Sequence, residues 1–198
     1  MNNILPIKHK IILASQSPRR QELLNGLGLD FEVMPLNVDE QYPPGLQGKD
    51  IALYLSELKA KAFQFDGLYK NCLVITADTI VWKDNQVLAK PKDHADAVRI
   101  LKTLSGNVHE VITGVSLRTK NKMTSFHSIT KVFFKELSTE EIDYYISKYK
   151  PFDKAGAYGI QEWIGHIGIE KIEGSYFNVV GLPVQKLYIE LLQFADNK

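Results

Sequence analysis

"CLVITADTIVW", Cys72–Trp82, is rich in β-branched residues and reads as one buried strand or two. "KDNQ" (Lys83–Gln86) follows as a hairpin turn leading into "VLAKP". Val108–Arg118 and Ser125–Lys135 read as a further pair of strands around the polar "TKNKMT". Upstream, Ile11–Leu13 reads as a buried strand running into a short helix over Gln21–Leu27, with Ser17 as N-cap and Pro18 at the first helical position. Ile51, Leu55, Leu58, Ala62 and Phe65 fall at helical spacing, and Asp93–Leu104 places Ala97, Val98, Leu101 and Leu104 on one helix face before Gly106. "STEEIDYYISKY" opens on a capping box, Ser138 with Glu141, and Pro151 ends that helix. "GLPVQKLYIELLQF" reads as a closing amphipathic helix. Val38–Asp50 is rich in turn formers, and Phe152–Val180 is glycine-rich and irregular. Helices alternate with strands, yet several strands sit back to back, which predicts an α/β fold with a mixed sheet. Nothing marks a linker, so one domain over residues 1–198 is expected.

The bulk numbers narrow the function. The chain has 198 residues, 44% hydrophobic and 24% charged, with 24 basic and 23 acidic side chains and a formal net charge of +1. That balance argues against a dedicated nucleic-acid binder, though not against a local basic pocket. Cys72 is the single cysteine, which excludes an internal disulfide and a cysteine-rich zinc site and reads as a buried, inert thiol. The N-terminal "MNNILPIKHKIILAS" lacks a signal-peptide pattern, and no apolar run approaches the roughly 20 residues that cross a bilayer. A cytoplasmic protein without membrane or nucleic-acid partners is expected.

The chemistry-bearing stretches begin with "SPRR". Arg19 and Arg20 stand in the first turn of a helix, where the macrodipole makes each cation cost roughly a few tenths of a kcal/mol. Two guanidinium groups there suit a phosphate, held by charge-assisted bonds of roughly 1.5–3 kcal/mol each and helped by the Ser15 and Ser17 hydroxyls. The plainer reading sends both arginines into water or to a nearby acid such as Glu22. Asp78 is a carboxylate in a very apolar run, costly unless paired or metal-bound, or else an Asp at a strand end bonded to a turn. Glu40 in "VDEQ" supplies a second carboxylate, and two carboxylates with phosphate oxygens make a magnesium site. Lys59 and Lys90 would add charge to a polyphosphate pocket or lie solvated. "DKAGAYGIQ" (Asp153–Gln161) reads as a tight turn with Tyr158 as a stacking face and Gln161 as a hydrogen-bonding amide. The five histidines show no ligand spacing, and neither a Walker P-loop nor a G-x-G-x-x-G is present.

"LASQSPRRQELL", "VDE", "KAKA", "ITADTIV", "LAKP", "LSGNVHEVITGV", "DKAGAYGIQ" and "GSYFNVVGLP" together resemble the Maf family of nucleoside triphosphate pyrophosphatases, in family order over nearly the whole chain. The resemblance implies a fold like that of the inosine triphosphate pyrophosphatases, an elongated, curved mixed sheet with two lobes around a deep cleft. It implies cleavage between the α- and β-phosphates, giving the monophosphate and pyrophosphate, with a divalent cation (Mg²⁺ or Mn²⁺) as cofactor. Asp78 matches the family's proton acceptor; Glu40, Lys59 and Lys90 match polar positions of its phosphate and metal region. Arg19, Thr79 and Gln161 match specificity positions of the branch that prefers dTTP and UTP. On this basis Asp78, Lys59 and Lys90 are expected to be catalytic, Ser15, Arg19, Arg20, Thr79 and Gln161 to bind substrate, and Glu40 with Asp78 to hold metal. The alternatives are the 7-methyl-GTP branch, another modified nucleotide, or a nucleotide-sensing regulator without turnover. The segment "EWIGHIGIEKIEG" after Gln161 departs from the pattern and would shape the cleft rim. Related proteins form homodimers; Leu187, Tyr188, Leu191 and Leu192 of the closing helix suit a core or an interface equally.

Overall fold

The computed structural model describes residues 7–196; residues 1–6, part of the N-terminal stretch read above for a leader, lie outside it. In chain order the elements are β1 (Lys10–Leu13), α1 (Pro18–Asn25), β2 (Phe31–Val33), α2 (Lys49–Ala62), β3 (Cys72–Lys83), β4 (Gln86–Leu88), α3 (His94–Leu104), β5 (Val108–Arg118), β6 (Met123–Phe134), α4 (Thr139–Tyr149), α5 (Trp163–Gly168), β7 (Ile169–Glu173), α6 (Tyr176–Val180) and α7 (Val184–Asp196). The strands form one open seven-stranded sheet in the order β2-β1-β3-β5-β6-β7, with β4 also beside β3. β1 is parallel to β2 and β3, and every other pairing is antiparallel, so the sheet is mixed as expected.

Cys72–Lys83 is a single strand, and its two edges are used differently. One edge pairs with β5 from Val74 to Trp82. The other is shared. β1 covers Cys72–Ile75, and the Ala14 N–H extends that ladder to the Ile75 carbonyl at 2.9 Å. β4 covers Val81–Lys83 through a hairpin whose turn residues, Asp84 and Asn85, both have positive φ (49° and 60°), as a two-residue turn of matching twist requires. Residues 76–80 have no strand on that edge. Backbone polar groups alternate sides along a strand, so Ala77 and Thr79, like Ile75, turn theirs toward the gap.

Side-chain alternation divides β3 as well. Leu73, Ile75 and Ala77 pack with Leu24 of α1 and with Leu187 and Leu191 of α7. Farther along the same face, Val81 joins a second core with Ile100, Leu101 and Leu104 of α3 and with Ile142, Tyr145 and Ile146 of α4. Thr79 lies between these two lobes. Leu187 and Leu191 of the closing helix therefore serve the core. The opposite face is covered by α2, through Ile51, Ala52 and Leu55 against Ile80 and Ile112. The buried stripe of α2 runs through Ile51, Leu55, Ser56 and Ala60, with Leu58 half-buried against the same core, whereas Ala62 is exposed and Phe65 lies beyond the helix end. Ser56 and Thr76 are both buried, with the Thr76 hydroxyl donating to the Ser56 carbonyl at 2.7 Å.

Two strands escape the sequence reading. β2 is three residues long and only half-buried. β7 completes the sheet inside the segment read as irregular. A bulge shifts its register on β6, so Phe133 faces Lys171 while Phe134 faces Ile169, and the apolar residues Ile169 and Ile172 fall three apart instead of two.

α2 lies against β5 at backbone distance because residue 114 is glycine. A Cβ there would overlap the Ala52 carbonyl and come within 2.7 Å of Leu53 N. Gly114 is also the β5 partner of Asp78, so this close approach seats α2 over the strand that carries the carboxylate. Gly114→Ala is expected to lower unfolding free energy by about 3 kcal/mol, the upper range for forcing a methylene into a packed interior, as read from the midpoint of urea unfolding.

Candidate active site

The gap in the β3 edge opens into a cavity of about 710 Å³. The nine side chains expected to be catalytic, substrate-binding or metal-holding all line it, Ser15, Arg19, Arg20, Glu40, Lys59, Asp78, Thr79, Lys90 and Gln161, and so do Ser17 and Tyr158. They arrive from both sides of the sheet. Asp78 points toward α2 and Thr79 toward α1, and the open edge lets both reach one hollow.

On the α2 side the Lys59 ammonium is shared between two carboxylates, donating to Asp78 Oδ1 at 2.6 Å and lying 2.8 Å from Glu40 Oε1. The side chains of Asp78 and Lys59 are only 10% and 13% exposed, which makes this a buried pair that neither partner could occupy alone. Burial opposes the Glu40 charge. The hydrogen bond from Lys59, and the charges of Lys59, Lys90 and Arg20, outweigh that and hold its carboxyl below the usual range. Lys90 is exposed and has no hydrogen bond or ion pair among the described residues.

On the α1 side the helix begins as expected, with the Ser17 hydroxyl accepting from Arg20 N–H at 3.4 Å. Neither arginine is left in water or on Glu22. Arg20 donates through Nε to the Gly181 carbonyl at 2.9 Å and through its terminal nitrogens to Thr79 Oγ1 (3.1 Å) and Ser15 Oγ (3.4 Å). Thr79 Oγ1 also meets Thr113 Oγ1 at 2.9 Å, so this hydroxyl is committed to Arg20 and its neighbours. Arg19 donates to Asp153 Oδ2 at 2.9 Å.

The third wall is the Asp153–Gln161 loop. The turn at Gly156 (φ 70°) brings its backbone against Val81, where a Cβ would stand 2.8 Å from a methyl group. Tyr158 borders the cavity but turns its ring inward rather than presenting the open stacking face read from the sequence. It is 5% exposed, packed edge-on against His109 and Phe134, and bonded through its hydroxyl to His109 Nε2 at 2.8 Å. Burial, with Lys83 adding to it, pushes His109 down to about 3, so that imidazole stays neutral. The Gln161 amide lines the cavity with no protein hydrogen bond among the described residues. Two charged groups here have no role in the sequence reading, Asp153 and Lys154. Both line the cavity, and Lys154, nearly buried, donates to Asp153 Oδ1 at 2.7 Å. An adjacent acid–base pair opening a glycine-rich loop was the available signal.

The cavity lining thus carries five cations (Arg19, Arg20, Lys59, Lys90, Lys154) against three carboxylates (Glu40, Asp78, Asp153), a field that suits a polyanion. As metal donors, the described residues contain no cluster of three histidine, cysteine or carboxylate side chains. Glu40 and Asp78 use one oxygen each on Lys59, and their second oxygens are hard donors of the kind that bind magnesium or manganese alongside phosphate.

The profile of the Maf-like protein family matches residues 10–194. The chain belongs to that family. Among its relatives, a dTTP/UTP pyrophosphatase of Phocaeicola vulgatus is 57% identical over 185 residues, covering 93% of this chain and 95% of that protein. One of Flavobacterium psychrophilum is 56% identical over 183 residues (92% and 93%), and one of Bacteroides fragilis 52% over 187 residues (94% and 96%). Among the described residues no helix is long and apolar enough to cross a membrane.

The Arg19–Asp153 contact gives this family member a measurable pH signature. Burial works against the Asp153 charge, but hydrogen bonds from Lys154 and Arg19, and their charges, hold its pKa at about 2. A depressed carboxyl pKa contributes stability that is present above the unfolded value near 3.9 and lost as pH falls through about 2. Carboxyl-carbon NMR should find Asp153 ionised down to that pH, and Arg19→Gln should move its pKa upward toward the ordinary value.

Proposed function

We propose that this chain hydrolyses nucleoside triphosphates, dTTP and UTP foremost, to the monophosphate and pyrophosphate. The observation that carries this reading is the buried Asp78–Lys59 pair standing in the same cation-rich hollow as Arg19 and Arg20. A module that only bound phosphates would gain little from negative charge beside them. The names carried by the relatives at 50–57% identity support the same reaction and the same bases.

In the proposed cycle, Arg19, Arg20, Ser15 and the α1 N-terminus hold the triphosphate, the arginines exchanging protein acceptors for phosphate oxygens in fork geometry. Asp78 orients a water and accepts its proton as the oxygen forms a bond to the α-phosphorus. The bond from that phosphorus to the bridging oxygen breaks, and the electron pair leaves with pyrophosphate. Lys59 and Lys90 stabilise the charge that gathers on the departing group. Glu40 and Asp78 would hold Mg²⁺ or Mn²⁺, which when bound supplies charge neutralisation. Gln161, whose amide has no protein hydrogen bond among the described residues, reads the edge of the pyrimidine; Thr79 acts through the Arg20 it holds.

Pyrophosphate release over a panel of dTTP, UTP, GTP, ATP and 7-methyl-GTP, with metal and with chelator, tests the reading. Turnover of dTTP and UTP that chelation abolishes is expected, and binding without release would identify a sensor instead. Asp78→Asn should lose at least about a hundredfold in kcat, the lower range for a general base, and should also unfold at a lower urea midpoint, because Lys59 keeps only Glu40 as a carboxylate partner. Gln161→Ala should flatten the ranking of the bases more than it slows dTTP; an unchanged ranking would remove Gln161 from base reading.

A further inference from the structure

The Tyr145 side chain is fully buried on α4, stacked on Tyr149 with ring centroids 5.2 Å apart. Its ring would satisfy that packing without a hydroxyl. The hydroxyl nevertheless makes two bonds, both to the segment that carries Gln161. It donates to Glu162 Oε2 and accepts from the Gly159 N–H at 3.0 Å. Gly159 is two residues before Gln161 and Glu162 is the residue after it, so one phenol pins the wall on both sides of the amide. Glu162 reaches onward. Its Oε1 lies 3.1 Å from Lys154 Nζ, Lys154 holds Asp153, and Asp153 holds Arg19. The phenol is a fixed donor, because burial and the Glu162 carboxylate push its ionisation far above neutral pH.

We infer that Tyr145 and Glu162 are positioning residues for substrate recognition, fixing the Gln161 amide and the Lys154 ammonium at the cavity wall. The inference rests on the reading of this cavity as a nucleotide site. It also assigns a task to the first residue of the segment that departs from the family pattern, Glu162. Removing the hydroxyl leaves the Gly159 N–H and one Glu162 oxygen without partners, and the loop between them then relaxes to satisfy both. A loop that wanders by a fraction of an ångström binds the base less selectively while Asp78, fixed on β3 by Lys59, keeps its place.

The test compares wild type, Tyr145→Phe and Glu162→Gln by steady-state kinetics on dTTP and GTP. A third variant, Ile146→Val, shortens a buried side chain of the same helix that does not line the cavity. For Tyr145→Phe the KM for dTTP should rise about tenfold with kcat changed less than about threefold, and the dTTP-over-GTP ratio of kcat/KM should fall about tenfold. Glu162→Gln should move the same quantities in the same direction. Ile146→Val should lower the melting temperature and leave the ratio alone. If Tyr145→Phe fails to fold, Glu162→Gln decides by the same readout. A wild-type ratio and KM in the folded variants would overturn the inference and leave the proposed reaction standing. A wild-type protein that releases no pyrophosphate from any nucleotide would overturn the reaction first, and this inference with it.

Discussion

The contact between Lys59 and Asp78 is the constraint around which this molecule is arranged. A carboxylate in the middle of a strand buried on both faces is tolerable only if a cation reaches it, and stripping one partner from such a pair costs on the order of 3–5 kcal/mol. The cation comes from α2, which must therefore lie flat on the sheet. Gly114 removes the side chain that would hold it off, and the Thr76 hydroxyl on the Ser56 carbonyl fixes its position along the strand. The desolvation of Asp78 is met during folding rather than at each encounter with a ligand, which is how preorganised charge becomes useful in catalysis.

The other cations follow the same economy. Arg19 rests on Asp153, Lys154 on Asp153 and Glu162, and Arg20 on three oxygens of Gly181, Thr79 and Ser15. This answers the puzzle of two arginines at a helix N-terminus. The macrodipole disfavours them, but each is bound by an acceptor from a distant part of the chain, Arg19 by Asp153 and Arg20 by Gly181 and Thr79. A bound polyanion would exchange one set of acceptors for another instead of ordering free side chains.

Much of this was legible in the sequence because the signals are local. The β-branched run of β3, the two-residue turn at Asp84 and Asn85, the Ser138–Glu141 box and the Ser17–Pro18 helix start each depend on a few neighbouring residues. β7 was hidden because its bulge breaks the alternation that marks a strand. In the site, the residue types were readable and brought together as expected, whereas their partners were not. Arg19 and Asp153 are 134 positions apart, and no spacing rule joins them. Tyr158 looked like a stacking platform because aromatic side chains carry no mark of which way they face. Here it packs inward on His109 and Phe134.

The interrupted pairing along β3 also bears on how the protein avoids its own kind. Unpaired strand backbone elsewhere invites a foreign strand and with it aggregation. Here the unpaired run spans only residues 76–80, is framed at either end by β1 and β4, and shares its cavity with Arg19, Arg20, Lys59 and Lys90. An incoming peptide would have to lay neutral amides among those cations and displace ion pairs already made. The charges that suit the hollow to a polyanion thus also guard this stretch of β3 against intermolecular strand addition.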